Sequence, residues 1–302
     1  MSINIHVDCD PLWVCASEYG LKPDYMNTII YERSLPALVE MLENRNLRAT
    51  FFIIGRDLEL PACRLFCERL LRSGHQLGNH TYSHFQDIHN FPAEALRDEL
   101  LRCHEAIKQY LGYSCRGARM PGYYFDHSVA EALASLGYAY DSSVLPGLGV
   151  YMMALFYRLF NQTGRNKRFG RAWHILARHS PHRIDTPGTS GFIWELPLGV
   201  CPLTLLPVHS TFLFQWGIQY LRLALFLAKA RRLSPFVYLF HAIDLLPADC
   251  AGELADRIST LSFPIDQRRA AVSTALDCLS REHVILTEDW IALRDPRPPC
   301  SQ

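Results

Sequence analysis

Short apolar runs alternate with longer amphipathic segments along most of this chain. Four of the short runs have the length and composition of strands: 3–7, 49–55, 236–242 and 283–287. Apolar residues recur at helical spacing in five longer segments: 34–46, 62–74, 92–112, 127–137 and 266–282. Because strands alternate with helices, we expect an α/β fold with parallel strands and right-handed crossovers.

The ends of the predicted helices carry the usual signals. We expect Ser34 to cap the first helix, with Pro36 in its first turn. Gly74 and Gly112 stand where the next two helices should end, because glycine readily adopts the left-handed conformation that closes a helix. The run 49–55 is apolar enough for a strand that is buried on both faces.

The middle of the chain, residues 142–194, breaks this alternation. Over 142–243 there are eleven basic and two acidic residues, a balance of +9 that leaves −9 for the rest of a formally neutral chain. Aromatic residues and methionines lie among these basic positions. We interpret 145–190 as a helical, basic insertion that faces the substrate or a membrane, with a solvated basic face as the alternative.

Residues 211–232 are apolar nearly all round, with Arg222 midway and three basic residues at the end. Such a helix is either buried or lies in a membrane interface. The N-terminal residues lack the basic and apolar regions of a secretory signal, so we expect a cytoplasmic protein. The ten scattered cysteines are then expected to be free thiols.

Two carboxylates follow the first predicted strand, at Asp8 and Asp10. Alternate strand residues share a face, so both are expected on one face with Cys9 on the other. Pro11 ends the strand and places the pair at its carboxyl end, where parallel α/β folds build their sites. Because two carboxylates so close favour a compensating cation, the pair indicates a metal site, or otherwise a turn or helix cap.

Two histidines, His80 and His84, stand four residues apart in the segment GNHTYSH. On a helical turn this spacing puts both imidazoles on one face, where they can chelate a divalent ion. The segment follows the strand-like HQLG, so it also lies at a strand end. Capping or packing of a helix is the alternative for a histidine pair of this kind.

Taken in order, these segments resemble the polysaccharide deacetylases, the NodB-homology group of carbohydrate esterase family 4. HVDCD is similar to the first family motif in its D-x-D form, ATFFIIG to the second core strand, and GHQLGNHTYSH to the H-[ST]-x-x-H metal motif. RGARMPGYYF is similar to the R-x-P motif, LGYAYDSSV to the strand beyond it, and FVYLFHAID to the late strand that ends in a catalytic histidine.

The resemblance implies one catalytic domain over 1–302, a distorted (β/α)7-type barrel that binds a divalent metal ion. Zinc is expected, with cobalt, nickel or manganese as alternatives. The implied metal ligands are Asp10, His80 and His84. Asp8 matches the general base, and Arg119 matches the arginine that orients this base or balances its charge.

Further roles carry over to the later motifs. Gly122 matches the oxyanion-binding amide and His241 the general acid. No residue clearly matches the acid that orients this histidine: Asp141 fits poorly, and Asp244 either orients a site group or caps a helix. The other residues predicted to contact substrate are Trp13, Tyr123, Tyr124, Arg165 and Arg168, with core packing as the alternative for the aromatic ones.

The resemblance also implies a substrate class, an N-acylated amino sugar. An unexported protein with a basic, aromatic middle favours an N-acetylated sugar on a polyprenyl phosphate, at the inner leaflet of the cytoplasmic membrane, in envelope or lipopolysaccharide modification. The alternatives are a deformylase of a lipid-linked sugar, a deacetylase of a soluble sugar or polysaccharide, and a binding protein on the same fold. Nucleic acid is not an expected partner, because no binding motif accompanies the basic residues.

Overall fold

A computed structural model describes residues 1–85, 87–149, 151, 172–189 and 191–295. Its strands are β1 (Ser2–Asp8), β2 (Thr50–Ile53), β3 (Gln76–Asn79), β4 (Gly117–Ala118), β5 (Tyr140–Asp141), β6 (His182–Thr186), β7 (Gly191–Glu195), β8 (Phe236–His241) and β9 (His283–Val284). The α-helices with described ends are α1 (Leu12–Glu18), α2 (Leu35–Glu43), α3 (Pro61–Arg72), α4 (Ala93–Leu111), α5 (His127–Ser135), α6 (Ser210–Ala230), α7 (Ile265–Leu279) and α8 (Thr287–Ala292).

The strands form one sheet in the order β6–β7–β5–β4–β3–β2–β1–β8, with β9 against the start of β1. All pairs are parallel except β6 with β7. Just past β7, Leu198 bridges Val237 of β8, so the two sides of the sheet meet. This closure produces a ring of seven parallel strands, which confirms the expected α/β barrel.

Alternation along the strands separates two faces of the barrel wall. On β1, Ile5 and Val7 belong to the large hydrophobic core that includes the helices, whereas His6 and Asp8 point to the other face. The register of β1 with β8 pairs Asp8 with His241. Polar side chains of neighbouring strands therefore meet at the carboxyl end of the barrel.

Most predicted elements occur where the sequence places them, but two ends differ. Ser34 does not cap α2: it is itself helical at the end of a π-helical turn, Ile30–Ser34, and its hydroxyl bonds Ala242 O and Leu245 N. The run 283–287 is strand only over β9, because α8 begins at Thr287. The nine cysteines in the described part of the chain are free, as expected.

The predicted insertion at 145–190 is described only in part. That part contains β6, which forms an antiparallel pair with β7, so the insertion is not helical throughout. Arg165 and Arg168, which were predicted to contact substrate, lie outside the described residues.

The apolar segment 211–232 forms α6, which is buried on one side and open on the other. Leu221 and Ala224 are buried in the core. Three large apolar side chains are 44%, 41% and 70% exposed: Trp216, Leu223 and Phe226. Neither a fully buried helix nor a fully interfacial one describes α6 correctly. Among the described residues no helix has the length and apolar character that crossing a bilayer requires.

A glycine in β4 is required by the packing of the barrel. A Cβ on Gly117 would come within 1.8 Å of the buried Tyr140 ring, so Gly117→Ala should lower the free energy of unfolding by at least about 1–3 kcal/mol. The matched control is Gly191→Ala on β7, where the nearest atom to the new methyl is 3.6 Å away. Urea unfolding followed by tryptophan fluorescence compares the two, and equal stability would contradict this packing.

Candidate active site

The carboxyl ends of the parallel strands open into one cavity of about 390 Å³. Asp8 ends β1, His241 ends β8, and His80 directly follows β3. The cavity lining includes Asp8, Asp10, His80, His84, Met120, Gly122, Tyr123, His209, Phe212, Trp216 and His241. Residues far apart in sequence thus meet at the edge where parallel strands place their ends.

Arg119 is wholly buried next to this cavity and directs its guanidinium at three residues. Nη1 donates to Asp8 Oδ1 at 2.7 Å, Nη2 to His6 Nδ1 at 2.6 Å, and Nε to the Ser142 carbonyl at 2.7 Å. The Phe52 ring lies 4.4 Å from the guanidinium carbon. Because an unpaired buried charge is strongly unfavourable, Arg119 and Asp8 hold each other in place.

His6 joins this network as a neutral ring. Arg119 can only donate, so His6 Nδ1 accepts, and Nε2 carries the proton that it donates to Thr287 Oγ1 at 2.7 Å. Burial, followed by the charge of Arg119, lowers the pKa of His6 well below its usual value. His6 therefore supports Arg119 from below and does not line the cavity.

Asp141, at the end of β5, forms hydrogen bonds with Ser143 and none with His241. Its carboxylate accepts hydrogen bonds from the N–H and the hydroxyl of Ser143, at 2.6 and 2.8 Å. Burial raises the pKa of Asp141 to about 6, and burial followed by the charge of Asp141 raises that of the neighbouring Glu195 well above its usual value. These shifts favour one proton shared by the two carboxyls.

Asp10, His80 and His84 converge on the cavity and could hold a metal ion. Asp10 Oδ1 lies 3.2 Å from His80 Nε2 and 3.4 Å from His84 Nε2, and the three potential ligand atoms lie within 4.8 Å of one another. The histidines are not on a helical turn, contrary to our expectation. Residues 80–84 form an irregular turn with positive φ at Thr81 and His84, which brings the two rings together.

The protonation of His80 shows why this cluster fits a cation. Its Nδ1 lies 2.7 Å from the Arg119 carbonyl oxygen and must donate to it. In the neutral ring, Nε2 then presents a lone pair to Asp10 Oδ1, which is buried and accepts no hydrogen bond. The contact is repulsive unless a proton or a metal ion lies between the atoms. One carboxylate and two imidazoles form a suitable donor set for zinc and related ions.

The pKa shifts of His80 and Asp10 arise from the same contacts between the carboxylate and the imidazoles. Burial alone would lower the pKa of His80, but the adjacent Asp10 carboxylate, which can accept a hydrogen bond only from the protonated ring, outweighs burial and raises it. Burial alone would raise the pKa of Asp10, but the charge of His84 and the hydrogen bond and charge of His80 lower it. The site therefore attracts positive charge, which a divalent ion would supply in place of the proton.

His241 lines the same cavity and has contacts on both ring nitrogens. Nε2 lies 3.4 Å from the Tyr123 hydroxyl, and Nδ1 lies 3.1 Å from the Ser210 hydroxyl. The backbone N–H of His241 donates to Asp244 Oδ2 at 2.8 Å, so Asp244 caps the turn that follows β8. The His209 ring packs edge-on against the imidazole, with the ring centres 5.2 Å apart.

The structure corrects two of the predicted substrate contacts. Trp13 is buried and does not line the cavity, because its indole N–H needs a partner inside the protein and donates to Asp57 Oδ1 at 2.9 Å. Tyr124 is also buried, with its hydroxyl on Asp126. Tyr123 and Gly122, by contrast, line the cavity, and both have positive φ.

Two residues of the site, His209 and Ser210, were not predicted from the sequence. Neither ring nitrogen of His209 has a hydrogen-bond partner in the described part of the chain, although the ring is buried at the cavity. Burial, then the charge of His241, lowers the pKa of His209 well below its usual value. No motif marks this position. Its one sign in the sequence is a His-Ser pair at the start of a helix, and the bridge of His209 to Leu239 of β8 appears only in the fold.

Known proteins share parts of this sequence. The polysaccharide deacetylase family model matches residues 24–140. A peptidoglycan-N-acetylglucosamine deacetylase of Bacillus cereus is 30% identical over 87 residues, which are 28% of this chain and 30% of that protein. A peptidoglycan deacetylase of Helicobacter pylori is 29% identical over 143 residues, 46% of this chain and 48% of that protein. The chain thus spans less than half the length of these curated relatives.

A solved structure has a similar fold. A crystal structure assigned to a polysaccharide deacetylase of Mycobacterium smegmatis matches with a TM-score of 0.63 and 17% identity, over 100% of this chain and 93% of that chain. At this identity the match shows the fold. The family match over 24–140 contains His80, His84 and Arg119, whereas Asp8, Asp10 and His241 lie outside it.

The cluster should bind one divalent ion per chain. His80→Ala and His84→Ala should each weaken zinc binding at least about 100-fold, since losing a ligand exceeds the roughly 10- to 100-fold effect of losing an outer partner. Isothermal titration of metal-free protein measures the affinity. His104→Ala, at a half-buried histidine beside Tyr138, serves as control and should bind like wild type. Unchanged affinity in His80→Ala would refute the assignment.

Proposed function

We propose that this chain is a metal-dependent hydrolase that removes an N-acyl group, most simply acetyl, from an amino sugar. The match of the polysaccharide deacetylase family model to residues 24–140 supports this proposal. One observation supports this most directly: a candidate metal cluster, Asp8 and His241 share one cavity. Amide hydrolysis needs an activated water, a site for the developing oxyanion and a proton for the departing amine. The cavity offers a group for each need.

In this proposal Asp8 is the general base. Arg119 holds Asp8 Oδ1 and fixes the carboxylate beside the cavity, where it takes a proton from the attacking water. Asp10, His80 and His84 would hold a divalent ion that supplies Lewis-acid charge to the acyl carbonyl and lowers the pKa of water.

The other side of the cavity serves the leaving group and the oxyanion. We assign the backbone N–H at Gly122 to the oxyanion, because glycine lets a ligand approach the main chain closely. His241 Nε2 is assigned to protonate the departing amine. The Tyr123 hydroxyl, 3.4 Å from this nitrogen, lies where it can contact the sugar.

We further propose that the sugar is carried on a polyprenyl phosphate at the inner face of the cytoplasmic membrane. Phe212 and Trp216 of α6 line the cavity, and the same helix exposes Leu223 and Phe226. Three arginines occur on or just after this helix, Arg222, Arg231 and Arg232, whereas Lys229 forms an ion pair with Glu282 at 2.9 Å. Exposed apolar side chains next to positive charge suit an anionic lipid better than a free sugar.

A peptidoglycan-type or other soluble oligosaccharide is the second candidate substrate. The names of the two bacterial relatives favour it, and a cavity of about 390 Å³ that opens to solvent can admit part of a polymer. A formyl group in place of acetyl is a variant of the same reaction.

Activity tests the reaction and the substrate separately. With zinc, the protein should remove one acetyl group from a polyprenyl-phosphate-linked N-acetylhexosamine, followed by mass spectrometry. Asp8→Asn and His241→Gln should each lower kcat about 100-fold or more, because a positioned acid or base contributes roughly 10²–10⁴. His104→Ala is again the control. Turnover of soluble chitin oligomers alone would overturn the lipid substrate, and turnover of neither would overturn the reaction.

Membrane contact through α6 has its own test. The protein should co-sediment with phosphatidylglycerol vesicles more strongly than with phosphatidylcholine vesicles. Phe226→Glu should weaken this binding about tenfold or more, because burying a phenylalanine is worth roughly 1.5–3 kcal/mol. The control is Leu65→Glu on α3, an equally apolar side chain that is 63% exposed. Equal losses in both variants would contradict a specific contact.

A further inference from the structure

A histidine that delivers a proton must present one chosen ring nitrogen to the cavity. Asp141, the acid considered from the sequence, bonds Ser143 instead of His241. Among the described side chains, the hydrogen-bond partner of His241 Nδ1 is the Ser210 hydroxyl, 3.1 Å away. The group that orients His241 therefore has to be sought around Ser210.

Ser210 is the first residue of α6 and is wholly buried. A hydroxyl can accept one hydrogen bond and donate another. If His241 Nδ1 donates to Ser210 Oγ, the hydroxyl proton of Ser210 is left for a second acceptor. Because the site is buried, that acceptor has to be a protein group or an ordered water.

Asp244 supplies a suitable acceptor. Its side chain is 1% exposed, and Oδ2 accepts the His241 N–H at 2.8 Å, while Oδ1 is buried without a partner of ordinary geometry among the described residues. Burial raises the pKa of Asp244, and the charge of His241 and the nearby Ser210 hydroxyl act in the opposite direction. Asp244 Oδ1, which lacks such a partner in the described part of the chain, and the Ser210 hydroxyl, whose proton needs an acceptor, thus belong to neighbouring side chains.

The buried side chain of Arg268 forms hydrogen bonds with the backbone of the turn that carries Asp244. Arg268 is 1% exposed and donates to the backbone carbonyls of Asp244 and Leu246, each at 2.8 Å, and to that of Phe263 at 2.9 Å. These bonds fix the backbone of the turn. Asp244 therefore keeps its carboxylate between the His241 backbone and Ser210.

We propose that Ser210 is a positioning residue that links the carboxylate of Asp244 to the imidazole of His241. In this arrangement His241 Nδ1–H donates to Ser210 Oγ, and the Ser210 hydroxyl donates to Asp244 Oδ1. Nε2 is then the nitrogen that faces the cavity, next to Tyr123. The orientation of His241, which the sequence left open, is supplied by a Ser-Asp pair.

The consequence for the reaction rests on the proposed function. The protonated imidazole gives its Nε2 proton to the amine nitrogen as the bond between that nitrogen and the acyl carbon breaks. The ring is left neutral, with its remaining proton on Nδ1 and still held by Ser210. Without Ser210 the neutral ring can place its proton on either nitrogen, and the ring can rotate away from the amine.

The first test compares two substrates in one protein preparation. An amide needs a proton on its leaving group, whereas 4-nitrophenyl acetate releases a stable anion and needs none. Ser210→Ala should lower kcat for the N-acetyl sugar roughly 10- to 100-fold, a part of what a positioned general acid contributes. KM should stay within about twofold, and the ester rate should change less than about threefold. The ratio of the two rates does not depend on the folded fraction.

Matched variants separate positioning from packing. Ser210→Thr keeps the hydroxyl and should recover most of the lost amide activity. Ser34→Ala removes another buried hydroxyl that contacts the turn after β8. Ser34 bonds Ala242 O and Leu245 N and has no hydrogen bond to the imidazole. This variant should change amide and ester rates by the same factor. Equal losses on both substrates in Ser210→Ala would overturn the proposal.

A second test does not depend on activity. Nitrogen-15 NMR of histidine-labelled protein, with the signals of His241 identified from His241→Gln, reports which ring nitrogen carries the proton. We expect the Nδ1-protonated form in the wild type and a mixture of both forms in Ser210→Ala. An unchanged tautomer would overturn the role of Ser210. If the wild type hydrolyses no amide, the proposed function fails, while this measurement still decides the positioning.

Discussion

The buried ion pair between Arg119 and Asp8 connects the stability of the barrel to the geometry of the site. The Arg119 side chain bonds Asp8 on β1 and Ser142 beyond β5, and its backbone bonds Asn79 and His80. Removing one partner would leave a buried charge, at a cost of about 3–5 kcal/mol. Arg119 thus fixes Asp8, the proposed base, and sets the tautomer of His80, a proposed metal ligand.

The barrel tolerates these polar groups because neighbouring strands supply partners for one another. The β1–β8 register places Asp8 beside His241, and alternation places His6 one layer below, where it accepts from Arg119. Each bond is between residues distant in sequence, so each exists only when the strands are correctly paired. A shift of one residue in the register of β1 would turn Asp8 into the apolar core.

Several site residues could be recognised before the fold was known because a local rule applied to them. Asp8 follows from strand alternation, and His80 and His84 from their spacing next to a strand end. The same spacing implied a helical turn that does not exist, since an irregular turn with positive φ brings these rings together. Trp13 was placed wrongly because proximity to a motif does not reveal whether a ring points into the core or the cavity.

The sequence by itself determined the α/β class, the approximate extent of most helices and of strands β1, β2 and β8, and the residue types at the carboxyl ends of these strands, because periodicity and strand ends are local properties. The tertiary structure decided which of these residues meet. It closed the ring through Leu198 and Val237, and it brought Ser210 of α6 to His241 of β8. Such contacts depend on strand order and loop paths, and no short segment of the chain encodes them.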